Sequence, residues 1–270
     1  MTLTGNKRTA EEAFMAQPKT MSPFLPIFET FRSELDEHHD RRERIIKASR
    51  DITAASKKII FSLQRVRTLN DPFPAQVAKD TKKHYDTIRD RYSSISRDLQ
   101  GINSFRYQFQ ITPGNQEFVE AITFQHYLSH QMLMTHEEAQ KELDKLTGGG
   151  ERVILTAEDF LLGIFDMTGE LMRFAITTMA TTGQLPGAEK GPGHHTVLSD
   201  LRELRTQLEQ VNVHEGGRFK KDFSSKMEVM RTCVEKVEGA LYGQVVRGAE
   251  RPKGWVPDLN GGRREEAEAY

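Results

Sequence analysis

Residues 22–66 read SPFLPIFETFRSELDEHHDRRERIIKASRDITAASKKIIFSLQRV. Apolar side chains recur there at the spacing of one α-helical face, at Phe24, Phe28, Phe31, Leu35, Ile45, Ile52, Ile59, Leu63 and Val66. Ser22 and Pro23 suit the N-cap and first turn of a helix, and the prolines within residues 70–74 are expected to end it. The stretch predicts one helix far longer than the globular mean of about 11 to 12 residues.

Helical spacing continues beyond this stretch in shorter segments. The second predicted helix carries residues 77–99, and a short segment with phenylalanines follows Gly101. Thr112 and Pro113 have the pattern of an N-cap and a first helical residue, for a helix that runs to about residue 134.

Two threonines mark the starts of later helices. Thr135 with Glu138 has the capping-box pattern, and Thr156 with Asp159 restarts a helix after the glycines of 148–150. A loop rich in Gly and Pro at 181–195 and two helices at about 198–213 and 217–246 complete the chain. The sequence therefore predicts an all-α fold.

The domain organisation follows from the absence of a break in composition. We expect a single helical bundle of about seven helices at residues 22–250, between flexible tails at 1–21 and 251–270. The very long first helix is typical of one that spans a subunit or feeds an assembly, and its unpaired apolar face predicts a chain that is poorly soluble alone.

The composition excludes several classes of protein. The 270 residues include 38 basic and 39 acidic side chains, so the net charge of −1 gives no global attraction for nucleic acid or acidic lipid. No apolar run approaches the roughly 18 residues of a membrane span, which predicts no membrane association. The single cysteine, Cys233, cannot form an intrachain disulfide. A reducing compartment, cytoplasm or nucleus, fits best.

Four carboxylates occur in pairs on two predicted helices. Glu117 and Glu120 are three residues apart, and Asp166 and Glu170 are four apart, so each pair shares a helix face among apolar neighbours. Because burying like charges together is costly, such acids take up protons, meet cations or line a wet cleft. An all-oxygen donor set favours Mg²⁺, with Mn²⁺ as the alternative. The competing interpretation is two ordinary amphipathic helices whose acids are solvated.

Basic side chains suggest a path for a nucleic-acid backbone. The candidates are Arg50, Lys57, Lys58, Arg65 and Arg173. Such a run is also typical of a solvated helix face, because acids such as Glu43 and Asp51 are interleaved with it.

Several segments, taken in order, resemble the translin family. They are LDEHHD (35–40), ER (43–44), SRDIT (49–53), QEFVEA (116–121), FQH (124–126), DMTGELMR (166–173) and VRG (246–248). The ordered combination is far more specific than any one motif. The resemblance implies a helical fold and a hetero-oligomer, octameric, with translin as partner.

The resemblance also implies an activity. A subunit of this type supplies the endoribonuclease site that cuts single-stranded RNA, including small-RNA passenger strands and tRNA precursor fragments, in the cytoplasm and nucleus; DNA is a further ligand. The family's Glu-x-x-Glu motif falls on Glu117 and Glu120, and its Asp-x-x-Gly-Glu motif on Asp166 and Glu170. Glu117, Glu120 and Asp166 are then expected to hold Mg²⁺ and its activated water, with Glu170 as ligand or support.

Two alternatives to the enzyme remain open at this point. One is a noncatalytic RNA- or DNA-binding adaptor that stabilises translin and scaffolds other proteins. The other is a structural bundle subunit whose acids face solvent.

Overall fold

The computed structural model describes residues 22–147, 151–188, 195–214 and 216–247. This part of the chain contains eight α-helices and no strand, which confirms the all-α prediction. The helices are α1 (Leu25–Leu63), α2 (Ala75–Ile95), α3 (Ile102–Arg106), α4 (Gln108–His130), α5 (His136–Leu146), α6 (Ala157–Thr182), α7 (Val197–Glu209) and α8 (Gly217–Arg247), with a 3₁₀ turn at Arg97–Leu99. None of these helices is long and apolar enough to cross a membrane.

The chain divides into two compact units, residues 1–42 and 43–270. In the described part of the first unit, the apolar side chains of α1 are exposed, with Phe28 at 65% and Leu35 at 68%. Phe28 and Phe31 contact each other edge to face, 6.4 Å between ring centroids. The predicted apolar face is therefore present in the described part of this unit, where it is exposed.

In the second unit the same face of α1 becomes core. Ile45, Ile52 and Ile59 are fully buried. Ion pairs of Asp51 with Arg91 and of Arg65 with Asp80 show that α2 runs antiparallel to α1, because later residues of one pair with earlier residues of the other.

The helices α4, α6 and α8 run in the same direction through the second unit. Asn115 bonds Asp159 near the start of α4 and α6, and further along Gly163 contacts Val119. In the same way Phe165 of α6 packs on Phe223 of α8, 5.1 Å between ring centroids. Because α4 and α6 are parallel and in contact, side chains on their solvent faces are neighbours when they lie equally far along the two helices.

The structure confirms the two threonine caps. Thr135 accepts a hydrogen bond from the Glu138 amide while the Glu138 side chain returns one to Thr135, a complete capping box. Thr156 accepts from the Asp159 amide at the start of α6. The predicted tails at 1–21 and 251–270 and the glycines of 148–150 lie outside the described residues.

The prediction that Thr112 and Pro113 start a helix is wrong. The helix α4 begins at Gln108, and Pro113 lies inside it. A proline at this position removes the hydrogen bond to the carbonyl of residue 109, close to the start of the helix. Gln108 extends the helix N-terminally by donating to Asp159, Nε2 to Oδ2 at 2.8 Å. The first helix likewise ends at Leu63, before the predicted stop at 70–74.

Candidate active site

A close helix contact places the two pairs of carboxylates together. A Cβ atom at Gly163 would lie 2.6 Å from Val119 Cγ1 and 2.9 Å from the carbonyl oxygen of Gln116, so α4 and α6 touch through backbone at this point. Only a residue without a side chain fits this contact at position 163. For Gly169, an added Cβ meets nothing within 4 Å among the described residues.

Glu120 is the most perturbed of the four acids. Burial raises its pKa to about 8, and the charges of Glu117, Asp166 and Glu170 add to the rise. No described residue forms a hydrogen bond or an ion pair with its carboxylate. Glu120 therefore lies in a negative environment with no cation of its own.

Glu117 is partly compensated by a lysine of α1. Burial raises the pKa of Glu117, and the Lys57 ammonium, with Nζ 3.7 Å from Oε2, works against that rise. The Lys57 side chain is 63% exposed, so water screens much of this interaction.

Asp166 bonds to a lysine that sequence reasoning missed. The Lys226 ammonium of α8 donates to Asp166 Oδ2 and lies 3.4 Å from the carbonyl oxygen of Leu162. The sequence does contain a signal for this contact. Lys226 follows Phe219 and Phe223 and precedes Met230 at intervals of three or four residues, so it lies on the buried face of α8. A charged residue on an apolar face indicates a specific partner.

Glu170 has two partners, one on either side. Gln64, which directly follows α1, donates to its Oε2 at 2.7 Å. Arg173 lies one turn along α6, with Nε 3.5 Å from Oε2. Gln64 was also missed, although it follows Arg50 and Lys57 at intervals of seven residues and so shares their helix face.

The donor set fits a hard divalent cation, although the side chains are not gathered around one point. Within the described ranges, no three Asp, Glu, His or Cys side chains are close enough to hold a metal ion. Asp166 Oδ2 is instead bound to Lys226 and Glu170 Oε2 to Gln64. Glu120 and Asp166 Oδ1 have no hydrogen-bond partner among the described residues. Carboxylate oxygens without partners in a negative cluster are ligands of the kind that Mg²⁺ or Mn²⁺ prefers.

The five candidate nucleic-acid residues are all exposed, but they do not form one surface. Lys57 and Arg173 flank the carboxylates through the contacts above. Arg65 pairs with Asp80 of α2 at 2.7 Å, and the charge of Lys58 acts on His84 of α2, so these two belong to the α2 side. Arg50 lies two turns before Lys57 on the face of α1 that meets the carboxylates.

The architecture is a helical bundle with a carboxylate cluster built from two adjacent parallel helices. Residues 40–248 match the sequence profile of the translin family. The chain belongs to that family.

Within the family, the chain is similar to translin-associated protein X. It is 30% identical to the protein of that name from Mus musculus, over 88% of this chain and 84% of the relative, and 30% identical to its homolog from Schizosaccharomyces pombe, over 83% and 89%. Identity to translin of Mus musculus is 23%, over 82% of this chain and 92% of the relative. The resemblance given by the sequence motifs is confirmed.

A solved structure shares the fold. The crystal structure of apo-NeC3PO superposes with a TM-score of 0.60 at 18% identity, covering 83% of this chain and 99% of that chain. At this identity the likeness shows the fold alone.

Proposed function

We propose that this chain is the catalytic subunit of a Mg²⁺-dependent endoribonuclease that cuts single-stranded RNA as part of a hetero-oligomer with translin. The observation that carries the proposal is the state of Glu120. It is a half-buried carboxylate beside three others, with no cation partner among the described residues and with its pKa raised to about 8. A purely structural bundle has no use for a cluster that costs stability.

The four acids divide into two kinds by their contacts. Glu117, Glu120 and Asp166 interact electrostatically with one another and are the proposed metal ligands. The charge of Glu170 also acts on Glu120, but its Oε2 is held by both Gln64 and Arg173, so Glu170 is the proposed support of the cluster. A bound divalent ion would supply the usual chemistry of such a site, lowering the pKa of a water and neutralising charge on a phosphate.

Basic residues at the edge of the cluster are the proposed contacts of the RNA backbone. Lys57 and Arg173 are the exposed cations that contact the carboxylates. Arg50 extends the same face of α1 by about 10.5 Å from Lys57. Lys58 and Arg65 pack toward α2, and we do not include them in this surface.

The exposed apolar side chains of residues 24–35 support the assembly part of the proposal. Several large apolar residues on one helix exceed the scattered exposure that is normal for a soluble surface. One relative is translin, and another is named translin-associated protein X, so a translin chain is the proposed partner. The proposed natural substrates are small-RNA passenger strands and tRNA precursor fragments.

One observation favours a second candidate, the noncatalytic adaptor that binds nucleic acid and stabilises translin. Asp166 is bound to Lys226 and Glu170 to Gln64, and the four carboxylates are not gathered at metal-ligand distance in the described part of the chain. An adaptor would keep these acids only as partners of the lysine and the glutamine.

Cleavage by the double variant Glu120→Ala/Asp166→Ala separates the two candidates. The full chain is co-expressed with translin, and cleavage of a labelled single-stranded RNA is followed in Mg²⁺. We expect the double variant to lose activity by at least about 10³-fold while the complex still forms and binds RNA. Full activity in the double variant would refute the catalytic proposal. Glu235→Ala, an exposed acid on α8, serves as the matched control and should remain active.

A further inference from the structure

Lys226 differs from the other cations of the carboxylate site in its burial. Its side chain is 24% exposed, against 63% for Lys57 and 58% for Arg173. Because water screens exposed ion pairs strongly and buried ones weakly, the charge of Lys226 is the least screened of these three.

The ammonium of Lys226 acts on more than its direct partner. It donates to Asp166 and lies 3.4 Å from the Leu162 carbonyl oxygen, so neighbouring turns of α6 hold it in place. Burial raises the pKa values of Glu117 and Glu120, and the Lys226 charge opposes both rises. The ammonium is therefore a fixed cation shared by three carboxylates.

Three of the four acids form an ion pair with a basic residue, and one does not. Lys57 pairs with Glu117, Lys226 with Asp166 and Arg173 with Glu170, while Glu120 has no such partner among the described residues. Sites for phosphoryl transfer that use carboxylates alone often balance them with two metal ions. In this cluster, the Lys226 ammonium already places one positive charge beside Asp166.

We propose that Lys226 is a positioning residue that takes the place of a second metal ion: it orients Asp166 and limits the carboxylate cluster to one divalent cation. The inference rests on the proposed metal-dependent function. Beyond that function, it identifies Lys226 as the residue that determines how many metal ions bind and what charge the site carries.

Counting bound Mn²⁺ tests the inference without reference to RNA cleavage. The full chain in complex with translin is titrated with Mn²⁺, and bound ion is measured by electron paramagnetic resonance. Binding that persists in Glu120→Ala/Asp166→Ala is subtracted as background. We expect one Mn²⁺ per wild-type chain, and in Lys226→Met either a second ion or an affinity at least about tenfold higher, because a repelling charge is gone.

Two matched variants keep the result specific. Lys226→Arg retains the charge and should restore one ion with wild-type affinity. Lys221→Met removes an exposed lysine of the same helix that contacts none of the four acids among the described residues, and it should change Mn²⁺ affinity by less than about threefold. Thermal melting in EDTA establishes that each variant is folded. One Mn²⁺ with unchanged or weaker affinity in a folded Lys226→Met chain would overturn the inference.

Cleavage kinetics provide the second readout. We expect Lys226→Met to lower kcat by on the order of 10²-fold while KM for RNA changes little, since Lys226 acts through Asp166 and not on bound RNA. Tighter Mn²⁺ binding combined with unchanged kcat would overturn the positioning role. Absence of cleavage by the wild-type complex would instead refute the proposed function, and the Mn²⁺ count would still decide the inference.

Discussion

Gly163 of α6 lies against Val119 of α4 so closely that a Cβ atom at position 163 would be 2.6 Å from the valine Cγ1. Val119 lies between Glu117 and Glu120 in the sequence, and Gly163 lies one turn before Asp166. The contact between these two residues therefore fixes the distance between the two pairs of acids. Its disruption should affect stability and the carboxylate site together.

Gly163→Ala is expected to destabilise the chain by about 1 to 3 kcal/mol, because the added methyl group meets Val119 and the Gln116 carbonyl oxygen. Gly169→Ala, six residues further along the same helix, meets nothing within 4 Å and should stabilise it by roughly 0.5 to 1 kcal/mol through helix propensity. Thermal melting of both variants at one protein concentration checks the prediction. Equal effects of the two alanines would contradict the close helix contact.

Glu120→Gln is expected to stabilise the chain in EDTA in a way that depends on pH. The pKa of Glu120 is raised from 4.5 to about 8 in the folded chain, so between these values the unfolded chain loses the proton while the folded chain keeps it. Wild-type stability then falls as pH rises through this window, whereas the glutamine cannot ionise. The advantage of the variant should grow from none below pH 4.5 to about 1 to 3 kcal/mol above pH 8.

Melting curves in EDTA at several pH values test this window, with the exposed Glu235→Gln as control. A difference between Glu120→Gln and wild type that stays constant with pH would show that Glu120 is ordinarily solvated.

Asp159→Ala is expected to cost about 2 to 4 kcal/mol of stability. Asp159 is 2% exposed and accepts from Gln108 Nε2 at 2.8 Å and from Asn115 Nδ2 at 3.0 Å. Its loss leaves the buried Asn115 amide without an acceptor among the described residues, and leaves Gln108 with only the weaker bond to Thr112 Oγ1 at 3.3 Å. The neighbouring Glu158 is exposed, and Glu158→Ala should cost less than about 1 kcal/mol. Urea unfolding of the two variants measures both values, and a tolerated Asp159→Ala would contradict the assigned network.

Phe28→Ser/Phe31→Ser is expected to abolish co-purification with translin and to increase the solubility of the isolated chain. Both phenylalanines are more than half exposed, and an exposed apolar face is typical of a surface that a partner covers. Phe105→Ser, which removes an aromatic side chain that is 85% exposed on α3, is the control and should leave assembly intact. Gel filtration of co-expressed chains gives the readout; a double variant that still assembles fully would exclude this face as the interface.

Much of the fold could be predicted from the sequence because the signals are local. The apolar spacing of 22–66, the capping box at Thr135 and the cap at Thr156 each depend on residues within a few turns of one another. The pairing of Glu117 with Glu120 and of Asp166 with Glu170 also follows from spacing on one helix. These features are all present in the structure.

The remaining features depend on contacts between distant parts of the chain. Lys226 meets Asp166 across 60 positions and Gln64 meets Glu170 across 106, and no helical period connects them. The start of α4 was misplaced because Pro113 carries a strong local signal, while the bond from Gln108 to Asp159 that extends the helix spans 51 positions. Local patterns thus identified the four acids and two of their cationic partners, Lys57 and Arg173, but not Lys226 or Gln64.

The most direct test of the proposed activity is cleavage of an end-labelled single-stranded RNA by the complex of this chain with translin, in Mg²⁺ or EDTA, using wild type and Asp166→Ala. We expect wild type to cut the RNA only in Mg²⁺, and Asp166→Ala to bind the RNA without cutting it. Binding without cleavage by the wild-type complex in Mg²⁺ would contradict the account and would establish the chain as a noncatalytic adaptor.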